Sequence, residues 1–308
     1  MRVAIYGTGG VGGYVGGRLQ AGGHDVTFIA RGANLAALQQ SGLSIKSALG
    51  DLNLPKVAAT DDPSSIGPVD VVLLGVKLYD LERSAAALKP LLGPNTMIVP
   101  VQNGVDAADR LAAVLGPAPV VKGAIYIVSF LVAPGKVEHR SPFCKLTFAE
   151  LDGKPSARTE AFAAALKASG VEGLVSSEID ADLWRKFLML APFAAVACLS
   201  RASVGQILGH PPLVSLLNDA TEEVAAVARA RGIVLPPDIV ARTMEVTKTF
   251  PPASRPSMQA DIDAGRPLEL ESLSGAVVRL GKAAGVPTPI HDTAYRALSL
   301  YAKGGAKP

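Results

Sequence analysis

Apolar residues fall in short β-rich runs through the first half of the chain and in helical periods through the second. Residues 3–6 form the first run, followed by the glycine-rich stretch GTGGVG at residues 7–12 and a helical pattern to about Ala21. Gly22 and Gly23 can close that helix, because glycine readily takes the left-handed conformation a helix end needs. Residues 25–31 form the second strand, which completes a βαβ unit. Residues 69–77 form a continuous apolar run of the kind found in parallel strands buried on both faces. A helical pattern at 81–92 separates it from another strand within 97–105. Residues 120–150 are β-rich again, with some strands expected to pair antiparallel, and a helix is expected from about 156 to 168.

After Ile179 the strand signal fades. Helical periods run through 183–199, 213–231, 237–249 and 270–284, interrupted at Pro211-Pro212, Pro236-Pro237 and Pro251-Pro252. The pattern predicts an α/β fold: a Rossmann-type dinucleotide-binding domain over residues 1–177, then an all-helical domain over 178–308. The last residues, 303–308, are expected to fray.

Composition narrows the function. The 308 residues are 49% apolar, enough for two cores, and the formal net charge is only +3. No basic tract stands out, so nucleic acid is not an expected partner. Cys144 and Cys198 form no metal-type pair, and His24, His139, His210 and His291 have no ligand spacing, so no metal is expected. His139 is expected at the surface, with a place at the cleft as the alternative. The apolar stretch 187–199 is shorter than the ~20 residues that span a bilayer, and the N-terminus lacks signal-peptide features. A cytoplasmic protein without membrane contact is the expectation.

The first chemistry-bearing motif is GTGGVG, read as a cofactor-binding loop of Gly7, Thr8, Gly9, Gly10, Val11 and Gly12. Gly7 makes the turn out of the strand, Gly9 lets a pyrophosphate approach the backbone, and Gly12 lets the helix pack on the strand. The phosphates would rest on the free N–H groups of the helix N-terminus. NAD-binding units usually carry an acid at the end of the second strand to hold the ribose. Here that place is Ala30-Arg31, and an arginine suits a 2′-phosphate, so NADP(H) is the expected cofactor. Lys77 and Asn103 fall at strand C-terminal ends, where open parallel sheets bind ligands.

Further along, LWRK at 183–186 and SMQADIDAGRPLELESLSG at 257–275 follow GTGGVG, Arg31, Val76-Lys77 and Gln102-Asn103-Gly104 in order. Each motif alone is weak, but the ordered set resembles the ketopantoate reductase (2-dehydropantoate 2-reductase) family over almost the whole chain. The resemblance implies NADPH-dependent reduction of a 2-oxo acid to a 2-hydroxy acid, with a place in pantothenate biosynthesis. It matches Lys186 to the family's general acid and Glu269 to its partner, which also borders the cofactor. It further matches Ser257 and Asn103 to substrate contacts, Asn103 also to a place beside the nicotinamide, and Lys77 and Arg31 to cofactor contacts. A homodimer fits the class. Read without the resemblance, Lys186 is a snorkelling lysine at a helix edge and Glu269 an ordinary helix-start acid.

Departures from the family pattern bear on the substrate. Leu190 and Ala194, four and eight residues after Lys186 on the same helical face, replace the asparagines of the best-known members. They would line the substrate site with apolar groups. Ser274-Gly275 also replaces an Asn-Gly pair. One alternative is therefore a related NADP-dependent oxidoreductase for a more apolar carbonyl or imine. Another, of a different class, is a non-catalytic NADPH-binding sensor, against which Lys186 and Glu269 argue. Pro192 is expected to bend its helix beyond Lys186, and Asp261 and Arg266 to order their segment rather than do chemistry.

Overall fold

The computed structural model describes residues 1–305. Its first sheet is built from β1 (Arg2–Tyr6), β2 (Asp25–Ile29), β5 (Ala58–Thr60), β6 (Val69–Leu74) and β7 (Leu92–Pro100), in the order β5-β2-β1-β6-β7. All four pairings are parallel. Helices α1 (Gly10–Ala21), α2 (Gly32–Ser41), α3 (Leu81–Ala87) and α4 (Ala107–Leu115) connect or follow its strands. The strand order reverses between β1 and β6, which makes their C-terminal ends a topological switch point, the usual ligand position in such sheets.

A second sheet, ordered β4-β3-β10-β9, consists of β3 (Leu43–Ser47), β4 (Leu52–Leu54), β9 (Ser129–Ala133) and β10 (Lys136–His139). It packs on the opposite side of α1. That helix is therefore squeezed between two sheets. A Cβ on Gly16 would lie 2.6 Å from both Ile5 Cγ1 and Phe28 Cε1, and one on Gly17 would lie 2.5 Å from Ile45 Cδ1. Glycine disfavours a helix by about 1 kcal/mol per residue relative to alanine. Close approach on both faces explains why α1 tolerates it.

A third sheet, β12-β11-β8, holds β8 (Val121–Tyr126), β11 (Lys145–Glu150) and β12 (Glu172–Val175). β8 pairs antiparallel with β11, and β9 with β10, as the β-rich stretch suggested. α5 (Ala157–Ala168) starts at a capping box in which Ser156 and Thr159 satisfy each other's backbone.

Some expectations need correction. The helix predicted over 81–92 stops at Ala87, because Pro90 lacks the N–H that would continue it. β7 then starts at Leu92 rather than Met97. The elements α2, β3, β4 and β5 gave no readable pattern; two of these strands have only three residues. His139 is not at the surface but 2% exposed. Its Nδ1 lies 2.9 Å from Ser47 Oγ and its Nε2 2.9 Å from Ser141 Oγ, with its ring 4.2 Å from that of Tyr14. Burial holds its pKa below the usual histidine range.

The chain divides into two compact units: residues Met1–Gln102 with Asp106–Ile179, and Asn103–Val105 with the chain from Asp180 onward. The second unit is helical, with α6 (Ile179–Ser200), α7 (Val204–Leu208), α8 (Pro211–Ala230), α9 (Ile239–Lys248), α10 (Ser257–Asp263), α11 (Ser274–Ala284) and α12 (Pro289–Leu298). Of these α7, α10 and α12 were not anticipated. Pro211 and Pro212 begin α8 rather than interrupt it, since the first helical turn has no use for their missing N–H groups.

The apolar stretch judged too short for a bilayer belongs to α6, whose 22 residues are long and apolar enough to cross one by length and composition. The physical reason for its composition is burial. Trp184, Phe187, Leu188, Ala191 and Ala194 pack with α8, α9, α10 and α11 in one core. Pro192 lies inside α6 without breaking the helical run. The tail is tied further than expected: Gly305 N–H donates to Gly265 O at 2.9 Å and Gly304 N–H to Tyr301 O at 2.9 Å. The rest of the stretch expected to fray, residues 306–308, lies outside the described residues.

The squeeze on α1 makes a prediction opposite to helix propensity. Gly16→Ala or Gly17→Ala overpacks the core and should destabilise by about 1–3 kcal/mol, lowering Tm by several degrees. Thermal unfolding followed by circular dichroism checks it; a raised Tm would show that the two sheets leave room.

Candidate functional site

In the first unit the site begins at the turn out of β1. Gly7 has φ +102°, and a Cβ there would sit 2.8 Å from both Gly75 C and Val76 N. Only glycine meets both demands. A Cβ on Gly12 would lie 2.3 Å from Gly7 O, which holds the start of α1 against the strand end. Gly9 behaves differently: a Cβ on it would meet nothing within 4 Å. It is the N-cap of α1, makes no side-chain cap, and no acid stands in the first turn. The first N–H groups of the helix and their partial positive charge are thus left for an anion. This open, uncapped cradle fits a dinucleotide pyrophosphate. Gly10 and Val11 supply the first N–H groups, while Thr8 is occupied internally. Its Oγ1 donates to Ile29 O at 3.1 Å.

A cavity of about 280 Å³ opens beside the cradle at the ends of β1, β2 and β6, lined among others by Thr8, Gly9, Arg31, Asn34, Asp80 and Ser84. Arg31 is the exposed N-cap of α2, and among the described residues no hydrogen bond or ion pair holds its guanidinium. Lys77 follows Val76, itself a lining residue, and precedes the short turn Leu78–Asp80. Asn34, Asp80 and Ser84 went unread in the sequence. Asn34 had a signal: it falls three residues after Arg31, one turn along the same helix.

In the second unit the predicted acid and its partner share one core. Lys186 on α6 is 8% exposed and Glu269, just before the turn Leu270–Ser272, is 6% exposed. Trp184, Phe187 and Leu188 on α6, with Leu268 and Leu270 beside the glutamate, belong to the same apolar cluster. Burial brings the Lys186 pKa down to about 8, while the Glu269 charge pulls it up. Such a group holds its proton at neutral pH and releases it far more readily than a solvated lysine.

The other matched residues occupy varied environments. Leu190, one turn on from Lys186, is half-buried, and Ala194 is 2% exposed within the core. Ser257 is exposed at the first position of α10, where Pro256 is the N-cap. Asn103 is half-buried in the short segment that belongs to the second unit, where Val105 packs on the helical core. Arg266 and Asp261 form a 2.7 Å ion pair, reinforced by Arg266 N–H donating to Asp261 O at 2.8 Å. This closes the turn between α10 and Glu269. The two cysteine thiols are buried, with pKa values pushed up to about 12, so neither is poised as a nucleophile.

Comparison with known proteins follows this division. The family model described as ketopantoate reductase PanE/ApbA matches residues 3–153, and the model of its C-terminal part matches residues 178–302. The protein called uncharacterized oxidoreductase YkpB of Bacillus subtilis (strain 168) is 28% identical over 302 residues, covering 98% of this chain and 99% of its own. A 2-dehydropantoate 2-reductase of Caulobacter vibrioides is 30% identical over 290 residues, covering 93% and 94%. The crystal structure of a PanE/ApbA family ketopantoate reductase from Ralstonia eutropha JMP134 superposes with a TM-score of 0.90 at 31% identity, covering 98% of each chain. With both parts of the family matched in sequence order along a fold of the same shape, the chain belongs to the ketopantoate reductase family of oxidoreductases.

Proposed function

We propose that the protein is an NADPH-dependent reductase of a 2-oxo acid, 2-dehydropantoate or a close analogue, with Lys186 as general acid and Glu269 as its partner. The observation that carries this reading is the buried ammonium of Lys186, whose pKa lies near 8. NADPH supplies the hydride. Negative charge then develops on the substrate's ketone oxygen, and a positioned N–H donor that also gives up its proton stabilises it. The Glu269 charge favours the charged form of the ammonium, against the burial that disfavours it. Arg31 would hold the 2′-phosphate, with Lys77 and the glycine cradle holding the rest of the cofactor. Asn103 and Ser257 would hold the substrate's polar groups.

A second reading concerns the substrate alone. Leu190 and Ala194 offer no polar atoms on the helical face they share with Lys186, which favours a carbonyl or imine compound with an apolar tail. Steady-state NADPH oxidation over a panel of 2-oxo acids separates the two. Highest kcat/KM with 2-dehydropantoate supports the first; a preference for apolar 2-oxo acids supports the second; no turnover with any of them contradicts the first.

Because reduction needs Lys186 protonated, kcat/KM should be level below pH 8 and fall about tenfold per unit above the lysine's pKa of about 8. Lys186→Met should lower kcat by about 10²–10⁴-fold and leave NADPH binding within a few-fold. Turnover unaffected by that substitution would remove Lys186 from the chemistry.

Arg31→Ala should raise KM for NADPH by about 10–100-fold, the worth of a charged hydrogen bond, and leave KM for NADH nearly unchanged. Equal effects on both cofactors would show that Arg31 does not read the 2′-phosphate.

A further inference from the structure

The glycine cradle is not a free-standing loop. Asn34, in the first turn of α2, donates from Nδ2 to Thr8 O at 2.8 Å. Its Oδ1 accepts from Gly135 N–H at 2.8 Å. The two bonds fix each other: with the oxygen engaged by a backbone donor, the amide nitrogen must face the carbonyl. Thr8 is held on its other atoms as well, since its N–H and Oγ1 both donate to Ile29 O. The Thr8–Gly9 peptide immediately precedes the uncapped N-terminus of α1, so its orientation sets where the first free N–H groups point.

Gly135 is the turn between β9 and β10, in the left-handed region at φ +69°. Its own carbonyl accepts from Ser44 N–H at 2.9 Å. At the far end of β9, Ser129 Oγ donates to Gly10 O at 2.9 Å. Ser129 O also lies so close to Gly10 that a Cβ there would be 2.4 Å away. The β9–β10 hairpin is therefore tied to the cradle twice, directly at Ser129 and through Asn34 at its turn. Asn34 also lines the cavity beside the cradle and stands one helical turn from Arg31.

We propose that Asn34 is a positioning residue for the cofactor, fixing the Thr8–Gly9 peptide for pyrophosphate binding and coupling the cradle to the hairpin turn at Gly135. This rests on the reading that the first unit binds a pyridine nucleotide, and adds a residue that need not touch it. Two consequences follow from the geometry. Nucleotide binding protects the Gly135 amide, which is bonded to Asn34. Loss of the Asn34 amide weakens nucleotide binding without slowing the chemistry.

The test uses the full chain. Hydrogen exchange of the Gly135 amide is measured with and without saturating NADPH, and Kd for NADPH and NADH is measured by fluorescence titration. The same titrations and steady-state kinetics are repeated on Asn34→Ala, with Asn34→Ser as the milder variant should the first not fold. The expected result is slower exchange at Gly135 in wild type with nucleotide bound. In the variant, Kd for NADPH should rise about tenfold, with kcat at saturating NADPH within about twofold. Unchanged exchange at Gly135, or a variant that loses thermal stability but binds NADPH as wild type does, overturns the proposal. Failure of wild type to bind either nucleotide overturns instead the cofactor reading on which it stands.

Discussion

The helical unit is organised around one costly arrangement: a lysine ammonium removed from water. Desolvating an isolated charge costs several kcal/mol even after relaxation, and proteins normally avoid it by neutralising the group or pairing it. Lys186 shows both responses in part. Its pKa falls to about 8, so the charged form outweighs the neutral one by only about tenfold at pH 7, and the Glu269 charge favours that form against the burial. The apolar side chains of α6, α10 and the 268–273 segment create the low-dielectric setting in which both effects act. A surface lysine would stay fully charged and be a poor proton donor. In the proposed reaction, the burial that costs stability is also what readies the group to give up its proton.

The first unit meets a different constraint. Its leading helix must bring its N-terminus to the end of β1 while lying between two sheets. Glycine serves both ends. Gly7 and Gly12 allow the close turn, Gly9 leaves the anion space open, and Gly16 and Gly17 let Ile5, Phe28 and Ile45 approach the helix axis. The second sheet is thus more than a cover. Through Ser129 and Asn34 it touches the loop whose backbone geometry decides how an anion is received.

Much of this was legible from residues alone, for identifiable reasons. The strand–glycine–helix order announced the cradle because each glycine has a distinct steric task. Arg31 stood out because the acid usual at its place was missing. Lys186 and Glu269 stand out only through the ordered motifs. Nothing local tells a buried lysine from a snorkelling one, and the burial of Lys186 depends on a segment more than eighty residues away. His139 was misplaced because one histidine among alternating strand residues carries no sign of which face is covered. Covering comes from the Tyr14 ring, Ser47 at the end of β3 and Ser141 just after β10. Asn34 was missed because its partners, Thr8 and Gly135, come from distant parts of the chain.

Direct titration of the lysine tests the account most sharply. Protein labelled with ¹³C at lysine Cε, with the Lys186 signal assigned by comparison with Lys186→Met, should show that one ammonium titrating near 8. Replacing its partner by Glu269→Gln should move it lower still, because the charge that holds the proton is gone. A Lys186 signal titrating with the surface lysines, above pH 10, and indifferent to Glu269→Gln would contradict the claim that a buried, glutamate-supported ammonium is the proton donor.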